Sequence, residues 1–251
     1  MLRVESQGPV LRLTLDRPEV RNAFNDELIA ALDEAFRDLP TGTRVVILSG
    51  EGKAFCAGGD LNWMTKAAAY TEEQNYEDAM RLAGLFERIA MCPAVTIAKV
   101  HGAAFGGGCG LVAAVDIAAA AEGTRFAFSE VRLGLIPATI SPFVIPKIGA
   151  SHARALFATG EAFDATHALQ IGLVHLVAHL DILDSLVDSK IEAVLASGPE
   201  AVTASKRLVL ESPLSREESA RRLARARAGA EGKEGVAAFL DKRPPSFAVK
   251  P

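Results

Sequence analysis

The stretch Phe-Gly-Gly-Gly-Cys-Gly-Leu at residues 105–111 places four glycines (Gly106, Gly107, Gly108 and Gly110) in five positions. Glycine loses more backbone freedom on folding than any other residue, so a cluster of this kind answers to a requirement for bare backbone. Before it runs Ala94-Val-Thr-Ile-Ala98, short and β-branched, which reads as a strand. After it the apolar residues predict a helix over about 107–114, and Asp116 to Ala120 predict a further strand. The same order occurs upstream. Arg44 to Leu48 reads as a strand and leads through Ser49-Gly-Glu-Gly52 into a second glycine turn, Ala54-Phe-Cys-Ala-Gly-Gly-Asp-Leu61. Strand, glycine turn and helix recur, which argues for the α/β class.

Outward from this centre, Val10 to Leu15 alternates like a half-buried strand and stops at the turn signal Asp16-Arg17-Pro18. From Asn25 the period changes: Leu28, Ala31, Leu32, Ala35 and Phe36 line one helical face, with Asn25 as N-cap. Residues 70–82 are acidic and read as a solvated helix face. From about residue 196 the composition shifts, and Ser215 to Lys233 forms a charged, strongly helical tail. The expected organisation is a core over 1–195 and a helical region over 196–251 that docks on the core or on a neighbouring subunit.

Composition narrows the function classes. Hydrophobic residues make up 49% and charged residues 23%, ordinary globular proportions. A net charge of -4 gives no pull toward nucleic acid or acidic membrane. The N-terminus lacks a signal-peptide pattern, and the longest uncharged apolar run, Gly102 to Val115, falls short of the roughly 18 to 20 residues that span a bilayer. The 3 cysteines are odd in number and have no CxxC spacing, which fits reduced thiols in the cytoplasm rather than a disulfide framework or zinc site.

Glycine turns that open helices leave backbone N–H groups unpaired at the positive end of the helix dipole, where a carbonyl or an anion can bind. Gly59 and Gly107 are the candidate donors. Nucleotide motifs fail: residue 111 is leucine where G-x-G-x-x-G needs glycine, and no phosphate-loop lysine follows Gly52 in the required pattern. No serine sits in a G-x-S-x-G elbow. His175 and His179 lack the glutamate of H-E-x-x-H and read as the end of a strand, so no metal is expected. His101 reads as a structural, hydrogen-bonded histidine. Among the acids, Glu130 lies in Phe126-Ala-Phe-Ser-Glu-Val131. It is either a desolvated acid/base or an edge carboxylate in solvent, and the residues alone leave both open.

Taken in order, these pieces resemble the crotonase, or enoyl-CoA hydratase/isomerase, superfamily. The resemblance rests on Asp16-Arg-Pro-Glu-Val-Arg-Asn-Ala-Phe-Asn25, on residues 54–61, on His101-Gly102 through Gly108, on Ser129-Glu130 to Pro137, and on Ala238-Phe-Leu-Asp-Lys-Arg243. It implies a spiral of ββα units with a helical C-terminal trimerisation region, a homotrimer or dimer of trimers, and an acyl-CoA thioester as substrate with no separate cofactor. By position, Gly59 and Gly107 match the family's oxyanion donors, while Arg21, Ala23, Ala57, Asp60 and Leu61 match residues lining the CoA groove. Phe239 and Lys242 match C-terminal residues that meet the CoA of the same or a neighbouring subunit. Asp60 reads equally well as a helix cap, and Lys242 as a solvated charge.

Of the family's two catalytic glutamates, the later one matches Glu130 and the earlier one falls on Gly110. A hydratase running on Glu130 alone, with water held near Ala138 or Ser141, an isomerase, and a weak acyl-CoA-binding paralogue all remain open. The wording around 101–111 and 128–142 looks like the bacterial 3-methylglutaconyl-CoA hydratase branch of leucine catabolism. Trp63, Met64, Ile140 and Phe143 are the expected acyl-pocket residues. Lys66, Arg132 and Lys147 are the candidate partners for a second substrate carboxylate.

Overall fold

The computed structural model describes residues 1–249. A six-stranded sheet forms its centre, in the order β1 (Leu2–Gln7), β2 (Val10–Leu15), β3 (Val45–Gly50), β4 (Val95–Val100), β6 (Ile117–Ala121) and β9 (Leu176–Ala178). Only the β1–β2 hairpin is antiparallel; the other neighbours run parallel. Parallel strands inside a sheet are buried on both faces, which is why β3, β4 and β6 read as near-continuous apolar runs, while β2, beside the exposed β1, alternates. One face carries Leu11, Leu13, Leu15, Val46, Leu48 and Ala98 into the main core. The other carries Val10, Val45, Ile47, Val95 and Ile97 against Leu183, Val187, Ile191 and Leu195. Those four leucine, valine and isoleucine positions are spaced by four along α7 (Leu180–Leu195), one stripe of a helix laid on the sheet.

Three short strands, β5 (Ala103–Phe105), β7 (Arg125–Ala127) and β8 (Ala162–Asp164), make a second sheet. On the main-core side lie α1 (Asp26–Arg37), α3 (Glu72–Ala90), α4 (Gly107–Ala114) and α5 (Ser141–Thr159). Asn25 caps α1 by accepting from the Leu28 N–H at 2.9 Å. The remaining helices are the short α2 (Leu61–Ala67) and α6 (Ala165–Gln170), then α8 (Pro199–Leu210), α9 (Arg216–Ala228) and α10 (Ala230–Leu240).

Sequence reading placed β2, β3, β4, β6, α1 and α4 to within two residues. It missed β1, whose five residues after Leu2 are all exposed, and the three-residue strands of the small sheet. The tail expected to be helical over 215–233 is helical, as two helices, α9 and α10, that meet at Gly229. A Cβ on Gly232 would stand 2.2 Å from the Ala226 carbonyl oxygen, so the turn between the two helices closes only around a bare backbone. The C-terminal helices are tied to the sheet by Lys206, which donates to the Cys92 and Ala94 carbonyls and pairs with Asp116 at 2.7 Å.

Candidate active site

Two loops are paired through Phe24. Its N–H donates to the Gly58 carbonyl at 2.7 Å, and its carbonyl accepts from the Asp60 N–H at 2.8 Å. Gly59 lies between these two bonds, and its own N–H meets no backbone acceptor among the described residues. Arg17 fastens the pairing from behind, donating to the Ala23 carbonyl at 2.5 Å and to Asp60 at 2.8 Å. Asn22, fully buried, accepts from the Arg17 N–H and donates to the Glu51 and Ala54 carbonyls.

The glycine cluster runs alongside. Cys56 and Ala104 pair as neighbouring strands do, with Phe105 N–H on the Cys56 carbonyl at 3.0 Å. A Cβ on Gly58 would lie 3.0 Å from the Phe105 carbonyl oxygen and 4.0 Å from the Gly106 Cα. Gly106 turns the chain at φ 50°, a left-handed value that favours glycine, and α4 begins at Gly107. The Gly107 N–H, in the first turn of α4, has no backbone acceptor among the described residues. Two amides without a backbone acceptor among the described residues therefore stand at adjoining turns.

Glu130 opens a short 3-10 turn, Glu130–Leu133, rather than continuing a strand. Its Oε1 lies 3.4 Å from the Cβ position of Gly106, and its Oε2 is buried with no hydrogen-bond partner. Burial pushes its carboxyl above the usual glutamate range. Of the two readings left open, the desolvated carboxylate is the one observed.

The space beside Gly110 adds a packing reason for the missing acid. A Cβ there would meet Ile140 Cγ2 at 2.5 Å, Phe86 Cζ at 2.6 Å and Phe86 Cε1 at 2.9 Å. Both neighbours are core residues, 1% and 0% exposed. Gly110 is thus bound by close packing, and an apolar wedge fills the place where a longer side chain would project. The neighbouring glycines answer to the chain's own packing as well: a Cβ on Gly107 would meet the Phe24 ring at 2.8 Å, and one on Gly108 the Cys56 carbonyl oxygen at 2.4 Å.

The expected water-holding groups are engaged elsewhere. The Ala138 N–H donates to the Ile136 carbonyl at 2.8 Å, and the Ser141 hydroxyl to the Ala138 carbonyl at 2.9 Å. Trp63 and Met64 lie 3.4 Å from the Cβ position of Gly59, and the Trp63 Nε1–H is buried without a partner. Ile140 and Phe143 pack around Phe86. Among the candidate cations, Lys66 pairs with Asp26 at 3.0 Å, and Lys147 donates to the Val112 and Val115 carbonyls at the C-terminal end of α4. Arg132 is exposed and forms no ion pair among the described residues.

Arg21, Ala23, Ala57 and Leu61 gather near the Phe24–Gly59 pairing: the Ala57 N–H donates to the Arg21 carbonyl at 2.9 Å, and Leu61 is 76% exposed. Of the two readings given for Asp60, the structure shows the helix cap. The residue is 5% exposed, pairs with Arg17 and caps α2 through the Asn62 N–H, so its carboxylate is occupied inside the protein. Phe239 and Lys242 sit at the end of α10, whose main contacts are with α8 and α9; within one chain they do not join Gly59 and Gly107. An open apolar cleft of about 940 Å³, lined by Val131, Ile136, Ile145 and Phe157, flanks the Glu130 segment without reaching either amide. Phe24 and Phe86 were not singled out by sequence reading, although Phe24 lies inside the 16–25 motif.

A pair of free amides beside a buried carboxylate can hold an oxygen that gains negative charge and move a proton next to it. Comparison with known proteins identifies the family. Residues 5–250 match the enoyl-CoA hydratase/isomerase family. A crystal structure of an enoyl-CoA hydratase from Shewanella pealeana superposes with a TM-score of 0.93 at 38% identity, covering 98% of this chain and 95% of that one. The 2,3-dehydroadipyl-CoA hydratase of Escherichia coli is 33% identical over 98% of both chains. The trans-2-decenoyl-[acyl-carrier-protein] isomerase of Streptococcus mutans is 31% identical over 96% of this chain and 95% of its own length.

Proposed function

This chain belongs to the enoyl-CoA hydratase/isomerase family, and we propose that it adds water across the double bond of a 2-enoyl-CoA thioester. The observation that carries the reading is the buried, unpartnered Glu130 Oε2 beside the turn that presents the Gly107 amide. Glu130 takes a proton from water as the water oxygen bonds to Cβ. The electron pair of the double bond moves toward the thioester carbonyl, whose oxygen is held by the Gly59 and Gly107 N–H groups. Glu130 then returns the proton to Cα, so that one water is gained and nothing is oxidised. Each such amide stabilises the transition state by about 3 kcal/mol. Desolvation suits Glu130 to this work, because a raised pKa lets one carboxyl both accept and deliver the proton at neutral pH.

The acyl group we assign is a branched, dicarboxylic one of the 3-methylglutaconyl type, with Arg132 as its cation. The Escherichia coli relative supports a dicarboxylic acyl chain by its name. CoA is placed at the mouth formed by Arg21, Ala23, Ala57 and Leu61, with Phe239 and Lys242 arriving from a neighbouring subunit of a trimer. Support for that assembly comes from α8 to α10, which leave Val209, Val236, Phe239 and Leu240 more than half exposed and fully bury Ala238 alone.

One observation favours isomerisation as the second reading. The Phe86–Ile140 wedge at Gly110 leaves a single carboxylate, and one carboxylate suffices to carry a proton between Cγ and Cα. Incubation with crotonyl-, 3-methylglutaconyl- and 3-enoyl-CoA separates the two. A mass gain of one water marks hydration, whereas new conjugated absorbance at constant mass marks isomerisation. In either case Glu130→Gln is expected to lower kcat by about 10²- to 10⁴-fold with CoA-ester affinity retained. Turnover of none of the three, or full activity in Glu130→Gln, refutes the proposal.

A further inference from the structure

We propose that Phe24 is a positioning residue that sets both amide donors, Gly59 through its backbone and Gly107 through its ring. The inference rests on assigning those two amides to the thioester oxygen. Such donors act only when they lie about 2.7–3.1 Å from the oxygen, so whatever fixes their spacing controls the rate.

The backbone half consists of the two bonds that bracket Gly59, from the Phe24 N–H to Gly58 and from the Asp60 N–H to Phe24. They hold the strand-like segment straight through Gly59 and leave its N–H free. The ring half is a contact: Phe24 Cε2 and Cδ2 lie 2.8 and 3.0 Å from where a Gly107 Cβ would be, so the ring edge rests on the first residue of α4. The ring itself is held. Phe24 is 1% exposed and meets Phe86 edge to face, with centroids 6.3 Å apart and planes at 83°. Phe86 in turn is fully buried and stands on Phe143 at 6.0 Å. On the other side, Arg17 pins the preceding carbonyl, that of Ala23, and the Asp60 carboxylate together. One residue therefore ties the 54–61 loop and the start of α4 to a common reference. Replacing the side chain is expected to release Gly107 while the backbone pairing to Gly59 persists.

The test uses the full chain with Phe24→Leu, Phe24→Ala, Gly107→Ala and the double variant Phe24→Ala/Gly107→Ala. The first readout is kcat and KM on the enoyl-CoA that wild type turns over fastest. The second is the ultraviolet enolate band of bound acetoacetyl-CoA, which reports the amides' hold on a charged oxygen without turnover. Phe24→Leu and Phe24→Ala are expected to lower kcat about 10- to 100-fold, since sub-ångström to 1 Å shifts of a positioned group have that effect, and to weaken the enolate band with KM within about 3-fold. Gly107→Ala drives its Cβ into the ring and is expected to lose at least as much. In the double variant the ring is gone, so the losses should fall well short of multiplying. Phe24→Leu covers the case in which Phe24→Ala does not fold. Wild-type kcat and an undiminished band in both Phe24 variants, or fully multiplicative losses in the cycle, overturn the inference. Wild type that neither turns over an enoyl-CoA nor yields the band overturns the assignment of the amides, and this inference with it.

Discussion

Placing a side chain at Gly110 should destabilise the protein even when that side chain is a methyl group. In an open helix interior, Gly→Ala gains about 1 kcal/mol from propensity alone. Here the new Cβ would stand 2.5 Å from Ile140 Cγ2 and 2.6 and 2.9 Å from two atoms of the Phe86 ring. Phe86 cannot swing aside cheaply, because it is 0% exposed and wedged between Phe24 and Phe143. Overpacking of a filled core costs about 1–3 kcal/mol, and three contacts under 3.0 Å belong at the upper end. The net expectation for Gly110→Ala is a loss of about 2 kcal/mol, which for a domain of this size lowers Tm by about 4–8 °C. Gly110→Glu adds the desolvation of a carboxylate among apolar neighbours and is expected to fall further, without gaining hydratase activity. Thermal and urea unfolding followed by circular dichroism measure the change. A Gly110→Ala protein as stable as wild type, or stabilised by the 1 kcal/mol of propensity, would refute the packing account and return Gly110 to being an empty place for an acid.

Two further outcomes follow from the charges. Burial raises the Glu130 pKa above its unfolded value, so the unfolded chain ionises first as pH rises, and stability is lost between the ordinary glutamate value of 4.5 and the raised one; Glu130→Gln should therefore have a higher Tm than wild type at pH 7–8, with the gap closing below about pH 4, and a constant gap across pH would count against the burial. Asp60→Ala strands Arg17, whose side chain is 13% exposed, and removes the cap of α2; a loss of about 3 kcal/mol in urea unfolding is expected, and a change under 1 kcal/mol would mean that the pair is solvated.

The fold was legible where a run is buried on both sides, and where β2 alternates or α1 repeats one buried face. Val45 to Leu48 and Val95 to Ala98 announce themselves because no water-facing side interrupts them. β1 was invisible for the opposite reason: its residues after Leu2 are exposed, and it is held as an edge by hydrogen bonds to β2. In the site, the Gly107 amide was legible because a helix start after a strand leaves free amides, whereas the Gly59 amide lies before the α2 cap and is left free by the pairing to Phe24, which the local pattern does not announce. The state of Glu130 was not legible either, because its burial depends on distant chain, with the Gly106 turn 24 positions earlier. Asp60 divides in the same way: its place before α2 made the cap legible, while its ion pair with Arg17, distant in sequence, was not.

The four glycines at 106–110 now divide by cause. Gly106 supplies a left-handed turn, Gly107 admits the Phe24 ring, Gly108 admits the Cys56 carbonyl, and Gly110 admits Phe86 and Ile140. These are connected demands rather than four separate ones. Phe86 Cζ lies 2.6 Å from the Gly110 Cβ position and 3.9 Å from that of Gly107, and its ring meets Phe24, whose own edge rests on Gly107. The wedge that occupies the acid's place therefore also backs the residue that seats the amide. An acid restored at 110 would have to displace Phe86, and with it the support of Phe24 against α4. Absence of the carboxylate and placement of the amide are on this argument one packing solution, so a second acid could return only with smaller residues at 86 and 140 and a new support behind Gly107.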